Sequence, residues 1–147
     1  MNRKTGPSLN ELYYEFGYFE EIQVSKYFKG SEGQKAMQKL MENLRKDPPK
    51  EIGRQEVLYI KDYLEKTTTN MQQGSTKKDI DLPSSNVLQF ILKDSSIVSV
   101  RPSGTEPKIK FYASCPSRSK LELNEAKKIV SAKIAAIKDD INRMIPE

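Results

Sequence analysis

Apolar positions along the chain fall into runs whose period changes from segment to segment, and those changes mark out the elements. Around Leu9 to Phe16, Leu12, Tyr13 and Phe16 recur at helical spacing and the run stops at Gly17, which predicts a short helix. YFEEIQVSKYFK, from Tyr18 to Lys29, alternates through Ile22 and Val24 with Tyr27 later, which predicts a strand. Gly30-Ser31 then opens a helix. Ser31 and Gln34 stand at capping-box spacing, Ala36, Met37, Leu40, Met41 and Leu44 form one apolar stripe, and Pro48-Pro49 ends it. After Gly53, RQEVLYIKDYL predicts a second strand.

The pattern then fails. KTTTNMQQGSTKKDIDLPSS, from Lys66 to Ser85, has few apolar anchors, and the expectation for 66–85 is a long flexible loop, either a functional flap or a tolerated insertion. Period two returns in NVLQFILK, Asn86 to Lys93, and in Ile97 to Val100, two runs linked by Asp94-Ser95-Ser96 and expected to form a hairpin. Lys108 to Ser114 reads as a further strand. The remainder is a long amphipathic helix, with Ser119 and Glu122 at capping-box spacing and Ala126, Ile129, Val130, Ile134, Ile137 and Ile141 at helical intervals. Strands joined by short links, with helices to spare, predict an α+β fold: a small antiparallel β-sheet with two main helices packed on one face.

The 147 residues suit a single domain large enough to bury a core. With 36% hydrophobic and 31% charged residues the chain is polar for a compact globule, so part of it should be loop, or surface that faces something else. No apolar run approaches the roughly 18 residues of a membrane span, and MNRKTGPSLN lacks the apolar centre of a signal peptide. These features lead to the expectation of a soluble, cytoplasmic protein with no membrane partner. One cysteine, Cys115, and no histidine rule out an internal disulfide, a usual zinc site and an imidazole base. The net charge of +5 raises the question of nucleic acid, but the cations are interleaved with acids, as in Lys35, Lys39, Glu42, Arg45, Lys46 and Asp47. A dedicated nucleic-acid binder concentrates them on one face, so no nucleic-acid partner is expected.

Candidate chemistry gathers in SVRPSGTEPKIKFY, Ser99 to Tyr112. Gly104 is expected at positive φ, letting successive backbone N–H groups converge on an anion. Ser103 and Thr105 add hydroxyls, Arg101 adds a planar charged fork, and Pro102 and Pro107 stiffen the two ends. Such a turn is either a receptor for a phosphate dianion or a plain hairpin connection, since Ser, Gly, Thr and Pro are also ordinary turn residues. Glu106 stands out, because a carboxylate beside a dianion is repulsive; it either orients the loop by accepting a hydrogen bond or pairs with a nearby cation.

RPSGTEPKIKFY resembles the phosphate-binding loop in the C-terminal domain, the fourth, of the α-D-phosphohexomutases, the phosphoglucomutase and phosphomannomutase superfamily. The resemblance extends to ELYYEFGYFEE, similar to the end of the preceding domain, to NLRKDPPKEIG and to LPSSNVLQFILKDSSIVSV, and so spans nearly the whole chain. It implies a TATA-binding-protein-like domain over 18–147, with 1–17 a remnant of the preceding domain. It also implies an isomerase that moves a phosphoryl group within a hexose phosphate, glucose or mannose 1- or 6-phosphate, through a bisphosphate intermediate. A phosphoserine and a magnesium ion would serve the chemistry from other domains, and the last domain would grip the phosphate that is not reacting.

Carried over by position, the grip falls to Arg101, Ser103, Gly104, Thr105 and Lys110. Lys108 is expected on the opposite face of the exit strand and is left out. The KIKFY exit resembles glucose-type and mixed glucose/mannose members more than those acting on amino sugars. No serine nucleophile loop, aspartate cluster for magnesium or sugar-selecting loop is found, so no catalytic or metal residue is expected here. The partners expected are the hexose phosphate and the other domains of the same chain, and the chain is expected to be an inactive fragment by itself. The competing readings are a basic nucleic-acid-binding module and a protein-interaction domain using the aromatic N-terminal segment.

Overall fold

In a computed structural model of the chain, the residues described are 19–116 and 123–144. Among them are eight strands, β1 (Phe19–Tyr27), β2 (Glu51–Ile52), β3 (Gln55–Asp62), β4 (Thr67–Asn70), β5 (Ser75–Lys77), β6 (Leu88–Leu92), β7 (Ile97–Pro102) and β8 (Lys108–Pro116). Two helices accompany them, α1 (Gly30–Lys46) and α2 (Leu123–Met144). The strand order is β1-β8-β7-β6-β3-β4-β5, with β2 paired to β3 off this path. All pairings are antiparallel, and the fold is α+β as the pattern predicts. No helix among the described residues is long and apolar enough to cross a membrane.

Alternation assigns the two faces of the sheet. β8 buries Ile109, Phe111, Ala113 and Cys115 and leaves Lys108, Lys110, Tyr112 and Ser114 half-buried on the other side. β6 and β7 send Leu88, Phe90, Leu92, Val98 and Val100 to the same inner face. Met37, Leu40, Met41 and Leu44 of α1 and Val130, Ile137 and Ile141 of α2 join them in a single core, so both helices cover that face. The outer face carries no helix among the described residues.

Packing outweighs local capping at the start of α1. Ser31 and Gln34 do not form the expected box: the N-cap is Lys29, and no side chain caps the helix. Burying each large apolar side chain is worth roughly 1.5–3 kcal/mol, against about 1 kcal/mol for a cap, so the four residues of the stripe hold the helix without one. Gly33 fixes the approach, because a β-carbon there would lie 2.7 Å from the Phe28 carbonyl carbon. β1 correspondingly ends at Tyr27, which is 57% exposed, and Phe28 takes the inward position instead.

Three stretches depart from the sequence reading. The expected loop 66–85 contains the hairpin β4–β5. Thr67 to Thr69 are β-branched and extend the edge of β3, while Asn70 Oδ1 accepts the Gln72 and Gln73 amides and Gly74 at φ 69° closes the turn. A second short hairpin, β2–β3, turns through Gly53 and Arg54 at φ 60° and 66°, both left-handed as a two-residue connection requires. β3 also shifts register against β6 between Val57 and Tyr59, so that Val57 and Ile60 are both buried while Tyr59 is exposed. On α2, Ile129 is 43% exposed because its neighbour Val130 occupies the buried stripe. The expected N-terminal helix, the aromatic residues Tyr13, Tyr14, Phe16 and Tyr18, and the Ser119–Glu122 box lie outside the described residues.

Candidate functional site

The hairpin β7–β8 carries the residues singled out by sequence. Its register sets Arg101 opposite Lys110 and Pro102 opposite Ile109, and the Ser103 amide donates to the Lys108 carbonyl at 2.8 Å. Arg101 and Lys110 stand at the strand ends, and Ser103, Gly104 and Thr105 lie in the turn between them, so the five residues share one end of one hairpin. Arg101 is exposed, Lys110 is half-buried, and both belong to the outer face. Like charges directly across a strand pair repel. Among the described residues neither cation is paired with an acid; the ion pairs there are Arg45–Asp62, Lys108–Glu106, Lys133–Asp94 and Arg143–Asp140.

Within the turn, two expectations are corrected. Gly104 does not take positive φ; the glycines that do are Gly30, Gly53 and Gly74. Nothing lies within 4 Å of the place a Gly104 β-carbon would occupy, so neither conformation nor internal packing calls for glycine, and its backbone is open to close approach from outside. The converging amides also have a different focus. Thr105 N and Glu106 N point at Ser103 Oγ, at 3.4 and 3.2 Å. The hydroxyl oxygen thus accepts twice and keeps its own proton available for donation.

The third correction concerns Lys108. Positions two apart on a strand share a face, and Lys108 lies beside Lys110 on the outer side, not opposite it. Its Nζ stands 3.4 Å from Glu106 Oε1 and donates to Tyr27 Oη at 3.4 Å, with the Tyr27 ring centroid 5.2 Å away. The Tyr27 hydrogen bond, aided by the Glu106 carboxylate, raises the Lys108 pKa above its ordinary 10.5, so the ammonium is charged throughout the neutral range. Of the two roles open to Glu106, the structure shows pairing with a cation. The backbone locks the same corner, for the Phe28 amide donates to the Pro107 carbonyl at 2.7 Å. The alternation of 108 and 110 was visible in the sequence; the involvement of Tyr27 depends on the β1–β8 register, which no local pattern reveals.

One row along the outer face from Arg101 and Lys110, a broad cleft of about 630 Å³ is lined by Gln23, Gln89, Ser99 and Tyr112 among others. Glu21 adds a carboxylate to these hydrogen-bonding groups, and the cleft does not include the turn itself. Among the described residues no three His, Cys, Asp or Glu side chains are grouped so as to hold a metal ion.

Comparison with known proteins places the chain in a family. Residues 29–132 match the model of the phosphoglucomutase/phosphomannomutase C-terminal domain. The chain is 38% identical over 107 residues to a phosphoglucomutase of Staphylococcus haemolyticus (strain JCSC1435), covering 73% of this chain and 19% of that protein. It is 39% identical over 110 residues to a phosphoglucomutase of Staphylococcus aureus (strain MRSA252), covering 74% and 20% respectively. The chain therefore spans about a fifth of the length of the curated relatives it matches. By the match over most of its length, the chain belongs to the family of phosphoglucomutase/phosphomannomutase C-terminal domains.

Proposed function

We propose that the β7–β8 turn grips the non-reacting phosphate of a hexose phosphate during phosphoryl transfer by a phosphoglucomutase or phosphomannomutase. The observation that carries the reading is the Arg101–Lys110 pair, two cations set directly opposite each other with no acidic partner among the described residues. A dianion between them turns the cross-strand repulsion into attraction, and the open space above Gly104 admits it. Arg101 provides the bidentate fork, Lys110 a point charge, and Ser103 and Thr105 hydroxyl donors.

On this reading a phosphoserine outside this chain gives its phosphoryl group to the hexose phosphate. The resulting bisphosphate reorients and the serine takes back the other phosphoryl group. Each phosphate is therefore the idle one in turn, and the same grip serves both halves of the reaction. The family resemblance implies a magnesium ion held by residues of other domains, where it would neutralise charge on the transferring phosphoryl group. Residues 18–147 would form the phosphate-gripping domain, 1–17 the end of the preceding one, and the setting would be cytoplasmic.

Titration of the chain with glucose 1-phosphate, followed by the backbone amide resonances of Gly104, Thr105 and Glu106, tests the reading. Saturable shifts that are lost in Arg101→Ala are expected. Absence of saturable shifts in the unaltered chain would sink it.

A further inference from the structure

A carboxylate in the same turn as two cations that have no acidic partner among the described residues is a built-in competitor for any anion they bind. Glu106 is such a group: it lies in the same turn as Ser103 and Thr105, is exposed on a 51% accessible side chain, and Arg101 and Lys110 stand at the strand ends flanking it. What keeps it occupied is Lys108. Its ammonium lies 3.4 Å from Glu106 Oε1 and is anchored from the other side by Tyr27, through the hydroxyl at 3.4 Å and the ring at 5.2 Å. The anchor itself is fixed by the pairing of Tyr27 with Lys108 across β1 and β8 and by the 2.7 Å bond from the Phe28 amide to the Pro107 carbonyl.

We propose that Lys108 is a positioning residue that sequesters Glu106, leaving Arg101 and Lys110 unpaired for an incoming phosphate. The inference rests on the reading of the turn as a phosphate site. An ion pair with one open, solvated partner contributes little to stability, and Glu106 is half exposed, so the value of the Lys108–Glu106 pair lies in what it prevents. Remove the ammonium, and the Glu106 carboxylate turns to the next cation on the same face, Lys110, two residues along β8. The phosphate must then displace a carboxylate already in place and is also repelled by it.

The test is a four-way comparison in the full chain, titrated with glucose 1-phosphate and followed by the amides of Gly104 and Thr105. Lys108→Met is expected to weaken binding roughly five- to twentyfold, the effect of about one charge contact. Glu106→Gln should bind at least as tightly as the unaltered chain, and Lys108→Met combined with Glu106→Gln should return to within about twofold of Glu106→Gln alone. That rescue is what a merely structural lysine, or one that touches the phosphate, would not show, and a double variant as weak as Lys108→Met overturns the proposal. So does a Lys108→Met variant that binds as well as the parent. Lys108→Gln repeats the comparison should the Met variant lose the dispersed spectrum of a folded chain. If the unaltered chain shows no saturable shifts, the phosphate reading itself fails and takes this proposal with it; if it binds and only the rescue is missing, the grip stands and the role of Lys108 falls.

Discussion

Gly53 lies so close against Ile137 that a β-carbon on it would sit 2.5 Å from Ile137 Cγ1 and 3.2 Å from the Ile137 amide nitrogen. Its own amide donates to Asp140 Oδ2 at 2.6 Å, so the β2–β3 turn and α2 are fastened at this point by contact and hydrogen bond together. Gly53→Ala meets two penalties, a left-handed φ of 60° and a crowded site where Ile137 Cγ1 must move and the helix backbone behind it stays tight at 3.2 Å. A loss of roughly 2–5 kcal/mol is expected. Denaturant unfolding checks it, and a variant within about 0.5 kcal/mol of the parent would show that the turn gives way freely.

Acid should loosen the hold on the middle of α2, at Lys133. Asp94 Oδ2 is enclosed and stands 3.0 Å from Lys133 Nζ, an ion pair whose geometry falls short of a hydrogen bond, while Oδ1 accepts the Ser96 amide at 3.0 Å. Burial by itself would raise the Asp94 pKa, but the Ser96 amide and Lys133 outweigh it and hold it below the ordinary 3.8. A carboxyl depressed in the folded state contributes stability that is complete above its unfolded value and is lost as pH falls through the folded one. Asp94→Asn should therefore lower stability at pH 7 by about 1–3 kcal/mol and flatten the loss of stability below pH 4. Unfolding curves collected from pH 7 to pH 2 on both proteins measure the difference directly.

Cys115 should be silent in the folded protein. It is fully buried, and burial, reinforced by Asp94, raises its pKa above 9.0 against the opposing influence of Ser96 and Lys133. Thiolate is the reactive form, so a thiol reagent at neutral pH is expected to label the chain only as fast as it opens. Labelling of native protein at the rate of a free thiol would contradict the packing of β8 against α2.

If the turn grips phosphate as proposed, Arg101→Ala in a complete phosphoglucomutase carrying this domain should remove a charge-assisted contact worth roughly 1.5–3 kcal/mol and lower kcat/KM by about one to two orders of magnitude. Lys110→Ala should cost less, as a single flexible point charge. Both losses are expected with glucose 1-phosphate and glucose 6-phosphate alike, with the fold intact because the turn faces solvent. Binding should also weaken below about pH 6, where a phosphate monoester loses its second charge. Equal kinetics for Arg101→Ala and parent in both directions would reduce the turn to a connection.

How much of this was legible beforehand differs by element. β6, β7, β8 and α1 follow from alternation and the helical stripe, because each buries a whole face and the period records it. The cation pair was legible only as two residue types; that Arg101 and Lys110 oppose each other comes from register. β4 and β5 escaped because their threonines and lysines bury little, and their pairing depends on the neighbouring edge of β3 more than on their own composition. The two-residue turn at Gly53 leaves no mark in the pattern, since the strand before it, Glu51–Ile52, is too short to show a period. The left-handed conformation expected of Gly104 rests on residue type alone, and the structure shows neither a positive φ nor a crowded β-carbon position there.

The pairing of β1 with β8 also orders events in time. Tyr27 and Lys108 meet although they are 81 residues apart, whereas β6, β7 and β8 follow one another through short turns. Closing the long loop costs entropy that the local hairpins do not face, so the central strands should associate first and β1 should join them last. Until it does, Phe28 has no Pro107 carbonyl to hold and Tyr27 has no Lys108, and the turn that carries Arg101 lacks its outer brace. Pulse-labelled hydrogen exchange during refolding should accordingly protect the amides of β6 to β8 before those of β1, with the brace from Tyr27 and Phe28 the last addition to the turn that carries Arg101.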